Sequence, residues 1–280
     1  MRNWVRRSLL AAGAAAVVSL AVIPAVLQGQ AGRGAAPAAA ARVPRTADGK
    51  PNLNGIWQTF GGANWNLEDH SASAGPFFQE GAVGAIPAGQ SVVEGGGDIP
   101  YTPAALAKRN ENARNRLTLD PEVKCYMPGV PRGNYMPYPF QIVQSPQNIL
   151  FAYEYASANR VVNMGKPTEA PVDSWMGWSN GKWEGDTLVV DVTGLNGNAW
   201  LDRAGNYTTD STHVVERFNL TDADHLNYEA TIEDPKLFTR PWKIQLTLYK
   251  HMEKNFQLLE FKCVEFAEEM LYGHLRKRYN

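Results

Sequence analysis

The residues best suited to chemistry lie between positions 200 and 235. His213 stands at the start of the strand expected over Val214–Leu220, near Asp210, Glu216 and Arg217. An imidazole beside carboxylates is a general acid/base, because its ordinary pKa lies close to neutrality. On an extended chain His213 and Arg217 share one face and Glu216 takes the other. If that first face turns inward, Arg217 can hold an anionic or carbonyl oxygen while His213 moves a proton. If it turns outward, both are solvated or pair with Glu229 on the next strand. Asp202 follows Trp200-Leu201 in a loop rich in Gly and Asn. A loop folded over a barrel end would let Asp202 orient His213. Glu233-Asp234-Pro235 offers adjacent carboxylates, but neighbours on a strand point to opposite faces, so a turn is the simpler meaning.

Aromatic side chains form the second group. Trp65, Tyr138, Trp175, Trp178, Trp183, Trp200 and Trp242 are a set that can line an apolar pocket, although several must serve the core; Trp175, Trp178, Tyr138 and Trp200 are the candidates to contact an apolar or aromatic small molecule. The chain has no Walker loop, dinucleotide fingerprint, Gly-x-Ser-x-Gly or His-Glu-x-x-His. Its five histidines are scattered. No cofactor or metal is therefore expected. Cys125 and Cys263 are the only cysteines. In an oxidising compartment they pair as one disulfide; in a reducing one they are buried thiols.

These groups must be positioned by a mainly β chain. From Phe140 onward apolar residues recur at every second position, with short segments near Phe140, Ile149, Leu188, Val214, Leu226, Trp242 and Phe256. Nine or ten short strands separated by turn residues indicate a barrel or sandwich. Asn180-Gly181 reads as a hairpin turn. A helix is expected from Thr102-Pro103 to about Leu117, with Thr as N-cap and Pro at the first position. A second is expected near Val264–Leu275. Residues 61–100 form a long Gly/Ala/Pro loop. Prolines 128, 131 and 137 exclude regular structure after Cys125, and the apolar residues among them must rest on core or ligand.

Gly55-Ile56-Trp57 resembles the first-strand signature of lipocalin-like barrels. That likeness implies a lipocalin-like antiparallel β-barrel, with Trp57 closing one end and an interior volume for a ligand. Trp183–Asp191 (WEGDTLVVD), His213–Arg217 (HVVER) and Ile232–Pro235 (IEDP) resemble a family of exported bacterial proteins of unassigned activity. The likeness spans Pro51 to about Glu265 and implies export and a single β-rich domain, without assigning catalytic residues.

Arg2, Arg6 and Arg7 precede an apolar run from about Leu9 to Val26 and a small-residue stretch ending at Ala31. This is the layout of a signal peptide over 1–31, with Arg6-Arg7 as a possible twin-arginine element; an uncleaved anchor is the alternative. Residues 32–48 read as a flexible linker. Residues 49–280 make one barrel domain, interrupted by a loop and helix insertion at about 61–135. Removing the three arginines takes the net charge from −1 to about −4. The absence of a basic stripe argues against nucleic acid as a partner, and a cleaved signal leaves no stable membrane span. The expected partner is a hydrophobic or aromatic small molecule. Its handler is either a cofactor-independent lyase, isomerase or hydrolase built on His213, or a carrier or envelope protein without catalysis.

Overall fold

The computed structural model describes residues 43–82 and 84–275. The expected signal peptide and most of the linker lie outside them. Among the described residues no helix is long and apolar enough to cross a membrane.

Nine strands follow in chain order around a closed barrel. They are β1 Gly55–Thr59, β2 Phe140–Gln144, β3 Asn148–Tyr153, β4 Asn159–Asn163, β5 Trp178–Glu184, β6 Thr187–Thr193, β7 His213–Leu220, β8 His225–Glu233 and β9 Trp242–Lys250. The expected barrel is present, and closure sets Trp57 opposite both Phe140 of β2 and Lys250 of β9. All pairs are antiparallel except β4–β5, which run parallel for Val162↔Ser179 and Asn163↔Asn180. A parallel pair needs a long crossover, and residues 164–177 supply it.

Period-two patterning decides which face is dry. In β7 and β8 buried and half-buried residues alternate almost without break. Val214, Glu216, Phe218 and Leu220 therefore point inward opposite Ile232, Ala230, Tyr228 and Leu226. Phe140, Phe151, Phe218 and Tyr228 form a chain of rings with centroids 4.9–6.1 Å apart. All four have zero accessible surface, as do Trp57, Val162, Val190, Val192, Val214 and Ile244. A side chain without accessible surface borders no space that admits water, so no ligand chamber adjoins these residues. The wall closes as expected, but bulky side chains occupy the volume that the lipocalin likeness assigns to a ligand.

Several boundaries differ from expectation for physical reasons. Asn180-Gly181 is not a turn but lies inside β5, and the β5–β6 hairpin turns at Gly185, with φ of +61°. Gly181 is needed for close approach: a Cβ there would lie 2.5 Å from Met164 Sδ and Val162 Cγ1. The expected strand at Phe256–Val264 is absent. With β9 paired to β1, the barrel offers no free edge to a tenth strand. Residues 251–266 instead run as an irregular strap, held by the Cys125–Cys263 disulfide, by Phe266 N–H to Val123 O (2.7 Å), and by Leu259 N–H to the Glu154 carboxylate (2.7 Å). The C-terminal helix is confined to α3, Ala267–Tyr272.

The long connection between β1 and β2 contains α1 (Pro103–Arg114) and α2 (Arg116–Leu119). The Thr102 side chain caps α1 by accepting from Ala105 N–H. The proline-rich stretch after Cys125 rests on core. Val130, Tyr135 and Met136 are buried, and Tyr135 donates its hydroxyl to Leu201 O at 2.8 Å.

Candidate functional site

His213 and Arg217 face outward, the opposite of what the interior acid/base arrangement requires. Burying Val214, Phe218 and Leu220 against β6 and β8 leaves the alternate positions no other side. His213 Nε2 lies 3.1 Å from Asp191 Oδ2, and Nδ1 lies 3.6 Å from Glu233 Oε2, with the imidazole 35% exposed. Arg217 pairs with Glu184 at 3.0 Å rather than with Glu229, which instead meets Lys243.

Asp202 does not orient His213. It is fully buried and collects four N–H donors: Leu67 N (2.9 Å), Ala204 N (2.9 Å), Asn206 N (3.2 Å) and Asn206 Nδ2 (2.5 Å). These bonds pin the loop after β1 to the loop that carries Asp202. Burial pushes its pKa up to about 6, against the opposing hydrogen bonds from Asn206 and Leu67 and the charge of Arg132.

The inward carboxylate of β7 is Glu216, which forms a sealed polar cluster. Arg160 of β4 donates Nη1 to Glu216 Oε2 at 2.6 Å and Nη2 to Oε1 at 3.1 Å. Asn134 Nδ2 (2.7 Å) and the Tyr228 hydroxyl (2.8 Å) also donate to Oε1. Arg160 Nε donates to the Tyr153 hydroxyl, which donates in turn to Asn134 Oδ1. Burial raises Tyr153 to about 12, and burial together with the Glu216 charge raises Tyr228 well above the ordinary phenol. No hydroxyl here is a ready base. The signal for the cluster was one ionic residue on an otherwise apolar strand face, in Val214-x-Glu216-x-Phe218 and in Arg160-x-Val162.

A second buried ionic group lies under the strap. Arg132 bonds both oxygens of Asp120 (3.0 and 3.3 Å) and Glu122 Oε2 (2.7 Å), and Arg203 also pairs with Glu122. Burial raises the Glu122 pKa, but the charges of Arg132 and Arg203 outweigh it and hold the group at about 2. Tyr138 lines an adjacent hollow of about 230 Å³ with Tyr155, Arg203, Phe261 and Val264. It is therefore apart from the candidate tryptophans.

Two of those tryptophans, Trp175 and Trp178, meet at the parallel seam. Below Val162 the β4 and β5 strands separate, and Asn159–Val161 face the approach to β5 across a cleft of about 750 Å³. Trp175 and Trp178 line it together with Met127 and Met176. Trp175 also lines a neighbouring hollow of about 370 Å³ with Tyr126 and Trp200. The Tyr126 and Trp175 rings stack with centroids 5.1 Å apart. Their placement follows from local geometry. Cys125 is tied to Cys263, which fixes the start of the Tyr126 loop. Ser174 is held to the segment after β6 by Ser174 N–H to Gly194 O (2.8 Å) and Asn196 N–H to Ser174 O (2.9 Å). Gly177, with φ of +65°, makes the turn between the two indoles, where a Cβ would lie 2.7 Å from Thr193 O. The structure thus places Trp175 between Trp178, which lines the seam cleft, and the buried Trp200, which lines the neighbouring hollow. The amides around them, Asn148, Asn159 and Asn196, and the Asp173 carboxylate are new to the candidate site.

Among the described residues no group of three or more His, Cys, Asp and Glu side chains is placed to hold a metal ion. No protein-family model and no curated protein matches the sequence.

Proposed function

We propose that the protein is an exported binding protein for a small molecule that lays an apolar or aromatic face against Trp175 at the β4–β5 seam. One observation carries the proposal: Trp175 lies between two hollows, with Trp178 on one side and Tyr126 and Trp200 on the other. The larger hollow is within the size range of small-molecule sites, roughly 300–1,000 Å³. The basic and apolar N-terminal run, together with the disulfide, supports export, as does the likeness of Trp183–Asp191 and His213–Arg217 to an exported bacterial family.

The fluorescent apolar probe N-phenyl-1-naphthylamine tests the site. It is expected to bind the oxidised protein with enhanced emission, and Trp175→Ala is expected to weaken it by tenfold or more. Probe binding that Trp175→Ala leaves intact would place any apolar site elsewhere.

Catalysis by a cofactor-independent lyase or isomerase has one observation in its favour, the position of His213 between Asp191 and Glu233. The binding proposal is preferred because His213 borders neither the seam cleft nor the hollow beside it.

A further inference from the structure

We propose that the ligand of the seam is a neutral carbohydrate, a pyranose whose C–H face lies on Trp175. The inference rests on the ligand site proposed above and specifies its chemistry.

The indoles supply the flat surface. Trp178 already donates its indole N–H to Thr168 Oγ1 at 3.1 Å, so its contribution is the ring rather than the polar edge. Around the rings stand groups with unused hydrogen-bonding capacity. Among the described residues, the side chains of Asn148, Asn159 and Asp173 have no hydrogen-bond partner within the chain, although all three line the cleft. Asn196 accepts from Asn198 N–H through Oδ1 at 3.1 Å, leaving its amide N–H groups unused. Asn163, by contrast, is spent on Gly165 N–H and Lys166 O.

Charge narrows the choice further. Among the described residues, Arg160 is the sole cation lining the cleft. Its three nitrogens are committed to Glu216 and Tyr153. An anionic ligand would thus meet Asp173 with no free cation to offset it. A wholly apolar ligand would strip water from three amides and a carboxylate and return no hydrogen bond, a cost that weighs directly against affinity. A neutral polyol meets both conditions. Each carboxamide offers an acceptor beside a donor, which suits adjacent hydroxyls, and a carboxylate accepts from hydroxyls in strong charge-assisted bonds.

The test is a neutral-glycan microarray, followed by calorimetric titration with maltose, cellobiose and xylobiose beside the apolar probe. At least one neutral glycan is expected to bind. Asp173→Ala and Asn159→Ala, both changes of exposed side chains, are expected to weaken it about fivefold to tenfold while leaving probe binding no weaker than in the parent protein. Trp175→Ala is expected to weaken both. Probe binding that depends on Trp175, with no glycan bound, would overturn the carbohydrate assignment and leave the apolar site standing. Failure of both ligands would overturn the site itself. Glycan binding indifferent to Asp173 and Asn159 would also overturn the assignment, because the sugar would then lie elsewhere.

Discussion

Arg160→Met is expected to be among the most destabilising single substitutions in the barrel. The guanidinium makes two hydrogen bonds to Glu216, at 2.6 and 3.1 Å, and Glu216 has no accessible surface. Removing the cation leaves the carboxylate with two neutral donors, Asn134 and Tyr228. Breaking one side of a buried ion pair costs about 3–5 kcal/mol, because the remaining charge has lost its water and gained nothing. At about 2–4 °C of Tm per kcal/mol for a domain of this size, the loss corresponds to roughly 6–20 °C. Glu216→Gln should cost a similar amount by stranding Arg160. The double variant carries no net buried charge, and its amide oxygen still accepts from Asn134 and Tyr228. It should recover most of either loss, with a coupling energy above about 2 kcal/mol in a double-mutant cycle. Urea titration of the oxidised protein, with scanning calorimetry in parallel, reads all four proteins. A loss below about 1 kcal/mol for Arg160→Met, or purely additive effects in the double variant, would refute a sealed ion pair on the inner face.

Three further outcomes follow from the same geometry. Replacing Cys125 and Cys263 by Ala should destabilise the fold by up to about 5 kcal/mol, since their bridge closes a span of 138 residues; denaturation midpoints of the two proteins check this. Glu122 sits at about 2 when folded, against 4.5 as an ordinary side chain, so its contribution is present above pH 4.5 and is lost as pH falls toward 2, by about 3 kcal/mol in all. Asp202 has the opposite sign: raised to about 6 from 3.8, it retains in the folded state a proton the unfolded chain has released, so its share of stability is full below about pH 4 and declines as pH rises to 6. Stability measured across pH 2–8 should therefore peak at mildly acid pH, and Glu122→Gln should flatten the acid limb. His213→Ala should change stability by less than about 0.5 kcal/mol, because the ring is on the outer wall; loss of a measured turnover in that variant would restore His213 as a catalytic group.

The alternation in β7 and β8 made the barrel legible, because a strand with one dry face has few other ways to be buried. The same alternation could not say which of two polar sets was inside. Val214 and Phe218 settle that, and they carry Glu216 inward with them. Charge alone favours the opposite choice, since a lone carboxylate on a dry face looks like an error until its partner is known. That partner, Arg160, is 56 residues away in sequence, and no local pattern links the two. The candidate tryptophans were recognisable by residue type but not by grouping. Trp175 and Trp200 line one hollow because the Asn196 backbone is bonded to that of Ser174, and Tyr126 stacks on Trp175 from the disulfide-anchored loop. Tyr138 has the same residue chemistry but lies under the strap, where Phe261 and Tyr155 cover it. The lipocalin likeness therefore carried the wall but not the position of the cavity. Wall closure depends on backbone pairing and period-two burial. An empty centre also needs small or few inward side chains, and here Phe140, Phe151, Phe218 and Tyr228 are neither. The parallel β4–β5 step then determines where space remains: a ladder of only two residue pairs leaves the adjoining ends of the strands unpaired and the indoles gathered along the gap.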